Sequence, residues 1–148
     1  PEKSNNIFPF FTSIRIGPAT AFNLPKKIDL INRIINHENI KDDDILMFCF
    51  GEVDVRAHLI KQSIEQNKPI EYIVNECICN YIKVIDYYRF KFKVIVWGPI
   101  ASWSELNPYV GPSYGTNVER NKITALFNQK LAFECNIRKI LFINLILI

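Results

Sequence analysis

The stretch Ile45–Gly51, ILMFCFG, decides the fold. Its six apolar residues in a row have the length of one strand and no polar residue at every second position, so they do not read as a strand with one wet face. They are too short for a core helix. Gly51 stops them, and Asp42, Asp43 and Asp44 precede them as a polar break. The reading is a strand buried on both faces, with Cys49 inaccessible inside it. Strands of that kind belong to parallel sheets, whose crossover helices cover both sides.

Three further segments read as strands. Lys93–Trp97 (KVIVW) is closed by Gly98-Pro99, Thr12–Ile16 (TSIRI) by Gly17-Pro18, and Lys139–Asn144 ends the series. The segments between them have helical periodicity. Beyond an interruption near Pro25, Ile28, Leu30, Ile31, Ile34 and Ile35 form a stripe. Val55–Gln66 carries Leu59, Ile60 and Ile64 on one side, and Ile123, Phe127 and Leu131 recur along Thr116–Glu134. The clearest helix runs from Ile70 to Ile85, through Ile73, Val74, Cys77, Ile78, Tyr81 and Ile82. Strands separated by helices imply crossovers, and crossovers imply a parallel sheet with helices on both faces.

The expected order is therefore β-α-β-α-α-β-α-β in one domain over residues 1–148, a three-layer α/β/α fold with a parallel, flavodoxin-like sheet. It is expected to be incomplete at both ends. The chain opens on Pro1 without an initiator Met, and the apolar run Ile140–Ile148 stops without turn chemistry.

Composition narrows the function classes. Nearly half of the 148 residues are apolar, which fits a globular domain with a real core. The formal charge of +3 is small, and Lys26, Lys27, Lys91, Lys93, Arg138 and Lys139 are scattered, so no nucleic-acid patch is expected. Ile140–Ile148 is far short of the ~20 residues of a spanning helix, so no membrane anchor is expected either. Cys49, Cys77, Cys79 and Cys135 are spaced too irregularly for a disulfide scaffold and point to reduced thiols in a cytoplasmic protein. Cys77 and Cys79 lie two apart on a helix and face different ways, and neither His37 nor His58 stands at a zinc spacing from them. No metal and no cofactor are expected.

In an open parallel sheet, ligands bind beyond the carboxyl ends of the strands. Gly17, Gly51 and Gly98 mark three such ends, either as plain turn formers or as places where a backbone N–H approaches a ligand. Phe48–His58 (FCFGEVDVRAH) then sets Glu52, Asp54, Arg56 and His58 directly after a buried strand, an unusual charge density for a sheet rim. Glu52 and Asp54 are either a carboxylate pair or, more plainly, a solvated turn residue and a helix N-cap. The loop through Ser102, Ser104, Pro108, Gly111, Ser113 and Gly115 is long enough to be functional, but its serines and His58 carry no triad signature.

The segment Phe48–His58 resembles the third sequence block of the SGNH (GDSL-type) hydrolases, in the subgroup with Gly-Glu-hydrophobic-Asp-x-Arg at that place. Ile16–Ala21 resembles the second block of the same family, and Gly115 through Glu119, Arg120 and Asn121 to Asn128 resembles the last helix before its final strand. The resemblance implies an ester hydrolase acting on a small-molecule or glycan ester, such as an O-acetyl sugar. Gly17 and Gly51 would supply oxyanion-hole N–H groups, and Glu52, Asp54 and Arg56 would belong to the active-site loops.

The departures are specific. The nucleophilic Ser of a Gly-Asp-Ser block and the general-base His of an Asp-x-x-His block are expected outside the chain, so the chain alone should be inactive. Val53 stands where the family has an oxyanion-binding Asn, and losing one such donor typically costs ~10²–10³ in rate. The alternative is a non-catalytic SGNH-like module that binds a glycan or nucleotide-sugar in the same crevice.

Overall fold

The computed structural model describes residues 2–3, 11–101 and 113–145. Three parallel strands form its central sheet in the order β3-β4-β5: β3 Ile45–Cys49, β4 Lys93–Trp97 and β5 Leu141–Ile143. The register sets Phe48 beside Val96 and Val96 beside Phe142. Helices α2 Leu59–Glu65 and α3 Ile70–Arg89 lead from β3 to β4, and α4 Asn117–Ile137 leads from β4 to β5. The chain is thus an α/β mixture with parallel crossovers, as the apolar runs and helical stripes imply.

Right-handed crossovers that step the same way across a sheet leave their helices on one face. The core agrees with that rule. Leu46, Phe48, Phe50, Val94, Val96 and Phe142, all on one side of the pleat, belong to or pack against the apolar cluster formed with α1 (Ile28–His37), α3 and α4. The alternate positions Ile45, Met47, Ile95, Trp97, Leu141 and Ile143 are outside it, and Ile45 and Leu141 are 57% and 60% exposed. The expectation that β3 is buried on both faces is therefore corrected. So is the burial of Cys49, which is exposed. An unbroken apolar run does not distinguish a strand covered twice from an edge strand whose second face is also apolar.

The Thr12–Ile16 strand is corrected as well. Only Ile14–Arg15 (β2) is extended in a ladder, and it pairs antiparallel with Glu2–Lys3 (β1) instead of joining the parallel sheet. A segment this short buries too little to hold a central position. After it come a 3₁₀ turn, Leu24–Lys27, with Pro25 in its first turn, and α1, Ile28–His37, which buries Ile31, Ile34 and Ile35. Helix α3 buries Ile73, Val74, Cys77, Ile78, Tyr81, Ile82 and Ile85, the stripe read from its periodicity.

Helix α4 starts from a complete capping box, in which Thr116 accepts the Glu119 N–H and the Glu119 carboxylate accepts the Thr116 N–H. It is tied to α3 at the far end, where Arg138 and Arg89 share the carboxylate of Asp86. No helix among the described residues is long and apolar enough to cross a membrane.

Candidate functional site

The chain after β3 turns at once into a helix. Gly51 has φ +112°, a left-handed value that favours glycine, and Glu52 and Val53 are already helical. The next turn, Asp54–His58, is wound as a π-helix before α2 begins. Such widened turns recur at functional positions because they re-aim side chains. Asp54 is thus inside the helix and is not its N-cap, which corrects the plainer of its two readings.

The Asp54 side chain instead reaches a distant segment. It is fully buried, and its carboxylate accepts the Ala21 N–H at 2.7 Å and the Phe22 N–H at 3.2 Å. The Cys77 thiol of α3 lies 3.6 Å away as a third donor. Ala21 and Phe22 are in a turn closed by reciprocal bonds, Thr20 N–H to Asn23 Oδ1 at 2.8 Å and Asn23 N–H to Thr20 Oγ1 at 3.3 Å. Burial raises the Asp54 pKa above its ordinary value, and the two backbone donors offset only part of that rise. The neighbouring thiol of Cys77 is pushed far up, by burial first and by the Asp54 charge second.

Glu52 faces away from this cluster and forms an ion pair with Arg56, Nε to Oε1 at 2.5 Å, with the glutamate side chain about half exposed. Among the described residues Glu52 is bonded to Arg56 and Asp54 to Ala21, Phe22 and Cys77. The backbone carbonyl of Arg56 accepts the Tyr114 N–H at 2.8 Å. Gly51 lies against Phe127 and Pro99, both close to where a side chain would project. The Gly51–Arg56 turn therefore meets the segment after β2, the segment after β4 and the residues that lead into α4.

Gly98 is a glycine for a different reason. A Cβ there would stand 2.6 Å from Asn128 Oδ1 and 2.8 Å from the Phe142 ring. Asn128 is buried on α4, and its Nδ2 donates to the Pro99 carbonyl at 2.8 Å and to Asn144 Oδ1 at 3.1 Å. That amide fastens the ends of β4 and β5 together.

Of the residues expected at a site, Gly51, Glu52, Asp54 and Arg56 are brought together in one turn. Gly17 is not tightly packed: it is exposed, has no atom within 4 Å of a would-be Cβ, and precedes Pro18 across a cis bond. His58 and Ser113 are exposed. Ser102, Ser104, Pro108 and Gly111 lie outside the described residues. Among the described residues no group of three His, Cys, Asp or Glu side chains could hold a metal.

Sequence reasoning missed Thr20, Asn23, Cys77 and Asn128 as participants. Asn128 had a signal, because it falls beside Phe127 on the stripe of α4 that faces the core, where a polar side chain needs a partner. No protein-family model matches the chain, and no curated protein or solved structure matches it.

Proposed function

We propose that this chain is the scaffold of an SGNH-like ester hydrolase of a reducing, cytoplasmic setting, which acts on a small-molecule or glycan ester. The observation that carries the reading is the bond between Asp54 and the N–H groups of Ala21 and Phe22. It joins the two segments that resemble the second and third blocks of that family, and a shared oxyanion site needs those two segments side by side. Under this reading the sheet is the half of a three-layer, flavodoxin-like arrangement that carries β3, β4 and β5, and a second helical layer covers the face bearing Met47, Ile95 and Trp97.

The chemistry would be acyl transfer. A serine oxygen attacks the acyl carbon while a histidine takes its proton, and the tetrahedral oxyanion is held by backbone N–H groups at Gly17 and Gly51. The same histidine then protonates the leaving alcohol, and water releases the acyl group by the reverse sequence. Neither a Gly-Asp-Ser nor an Asp-x-x-His block occurs in the 148 residues, so both groups would come from the rest of the polypeptide.

The test is the full reading frame. Translated and purified, it should contain both blocks, react with a fluorophosphonate probe at the Gly-Asp-Ser serine and release acetate from p-nitrophenyl acetate or an O-acetyl sugar. The isolated 148 residues should do neither. A full-length protein that lacks both blocks, or that has them and neither labels nor turns over, would refute the reading.

A further inference from the structure

We infer that Asp54 is the positioning residue of this site: its ionised carboxylate holds the Thr20–Asn23 turn against the Gly51 turn, and taking up a proton releases that turn. The inference rests on reading the strand-end loops as a site. Its geometric basis is narrower, and lies in one buried side chain that bonds two consecutive backbone N–H groups more than thirty residues earlier in the chain.

A carboxylate in this place is poorly suited to stabilising the fold. Its folded pKa is raised above the ordinary value, so between the unfolded and folded values the folded chain binds the proton more readily. Stability contributed by such a group falls as pH rises through that window, and at neutral pH its charge is a net cost. An uncharged side chain would fill the space with no such cost. What the charge supplies is two charge-assisted bonds to a turn that also has its own Thr20–Asn23 exchange and the buried Ala21 and Leu24 to hold it.

Among the described residues, the groups beside the carboxylate do not titrate in the acid range. From α3 the groups that face the carboxylate are the thiol of Cys77 and the hydroxyl of Tyr81, and both are pushed up from ordinary values that already lie well above neutrality. From the turn itself the Thr20 hydroxyl is the neighbour, and it does not titrate. On its own helix Arg56 is paired with Glu52, and on α4, which packs against the same turn, the buried charged group is Arg120, which donates to the Gly115 carbonyl. A transition in the acid range at the Ala21 and Phe22 amides therefore reports Asp54.

The experiment is amide NMR on the folded chain, with no ester present. In the wild type, the Ala21 and Phe22 N–H resonances should move together as pH falls, with a midpoint above 3.8, the ordinary aspartate value. In Asp54→Asn, where an NH₂ replaces one acceptor oxygen, the same two amides should exchange about 10–100-fold faster at neutral pH, the equivalent of one lost charged hydrogen bond. Exchange at the core amides of Ile78 and Val96 should not change. Amides that do not titrate, or equal protection in wild type and Asp54→Asn, would each overturn the clamp. The wild-type titration decides the matter even if the variant fails to fold. Because no readout uses a substrate, failure here is separable from failure of the hydrolase reading, which the fluorophosphonate probe tests.

Discussion

Replacing Gly51 by alanine separates backbone strain from crowding at the centre of the candidate site. The residue has φ +112°, a region that costs a residue with a side chain about 1–3 kcal/mol. The new methyl would also meet Phe127 ring atoms at 3.0 and 3.1 Å and Pro99 Cδ at 3.3 Å. These distances require small shifts in a packed core, which adds roughly 1 kcal/mol at the low end of overpacking. The expected loss is about 2–4 kcal/mol, or a melting temperature lower by roughly 6–12 °C in a chain of this size. Gly17→Ala is the control, since nothing lies within 4 Å of its would-be Cβ. It should stay within about 0.5 kcal/mol of wild type, as surface substitutions do. Thermal and urea melts followed by circular dichroism measure both. Combining Gly51→Ala with Phe127→Leu should recover the crowding share and leave the strain share, which a double-mutant cycle reads directly. A Gly51→Ala protein as stable as wild type would refute the claim that this turn needs a left-handed residue.

Other expectations follow from burial and bonding. In the native chain, iodoacetamide should label Cys79 quickly, Cys49 more slowly because its surroundings push the thiol up, and leave the buried Cys77 and Cys135 unmodified; peptide mass spectrometry would show a failure as early labelling of Cys77. Among the described residues the buried Tyr81 hydroxyl meets the Phe50 backbone only in poor geometry, so Tyr81→Phe should stay within about 1 kcal/mol of wild type, and a larger loss on melting would mean that the hydroxyl is well bonded. Thr116→Ala removes half of the capping box of α4 and should cost about 1 kcal/mol, with Thr116→Ser restoring most of it; equal costs for the two would show that the cap contributes nothing.

Periodicity made the helices and the three parallel strands legible, because a stripe at helical spacing or an apolar run of strand length reflects local geometry that few tertiary contacts override. The long stripe of α3 is the clearest case. Which face of β3 is covered was not legible, since that depends on the direction in which the crossovers step across the sheet. The grouping of Gly51, Glu52, Asp54 and Arg56 could be read from their closeness along the chain. The partners of Asp54 could not, because Ala21 and Phe22 contribute only backbone N–H groups, which every residue but proline carries. The N-cap reading failed for a related reason. The helix starts at Glu52, directly after Gly51 and two residues before Asp54, so Asp54 is already inside it.

The one-sided central sheet also governs which substitutions the strands tolerate. Along β4, Val94 and Val96 are buried against the helices, while Lys93 is exposed and Ile95 and Trp97 are half-buried. Losses from truncation to alanine should therefore alternate along the strand, large at Val94 and Val96 and small at Lys93, with the same alternation in phase at Phe48 beside Val96. A saturation library scored for folding would draw the sheet as a two-beat pattern. The amplitude at Ile95 and Trp97 would measure how much the outer face is covered.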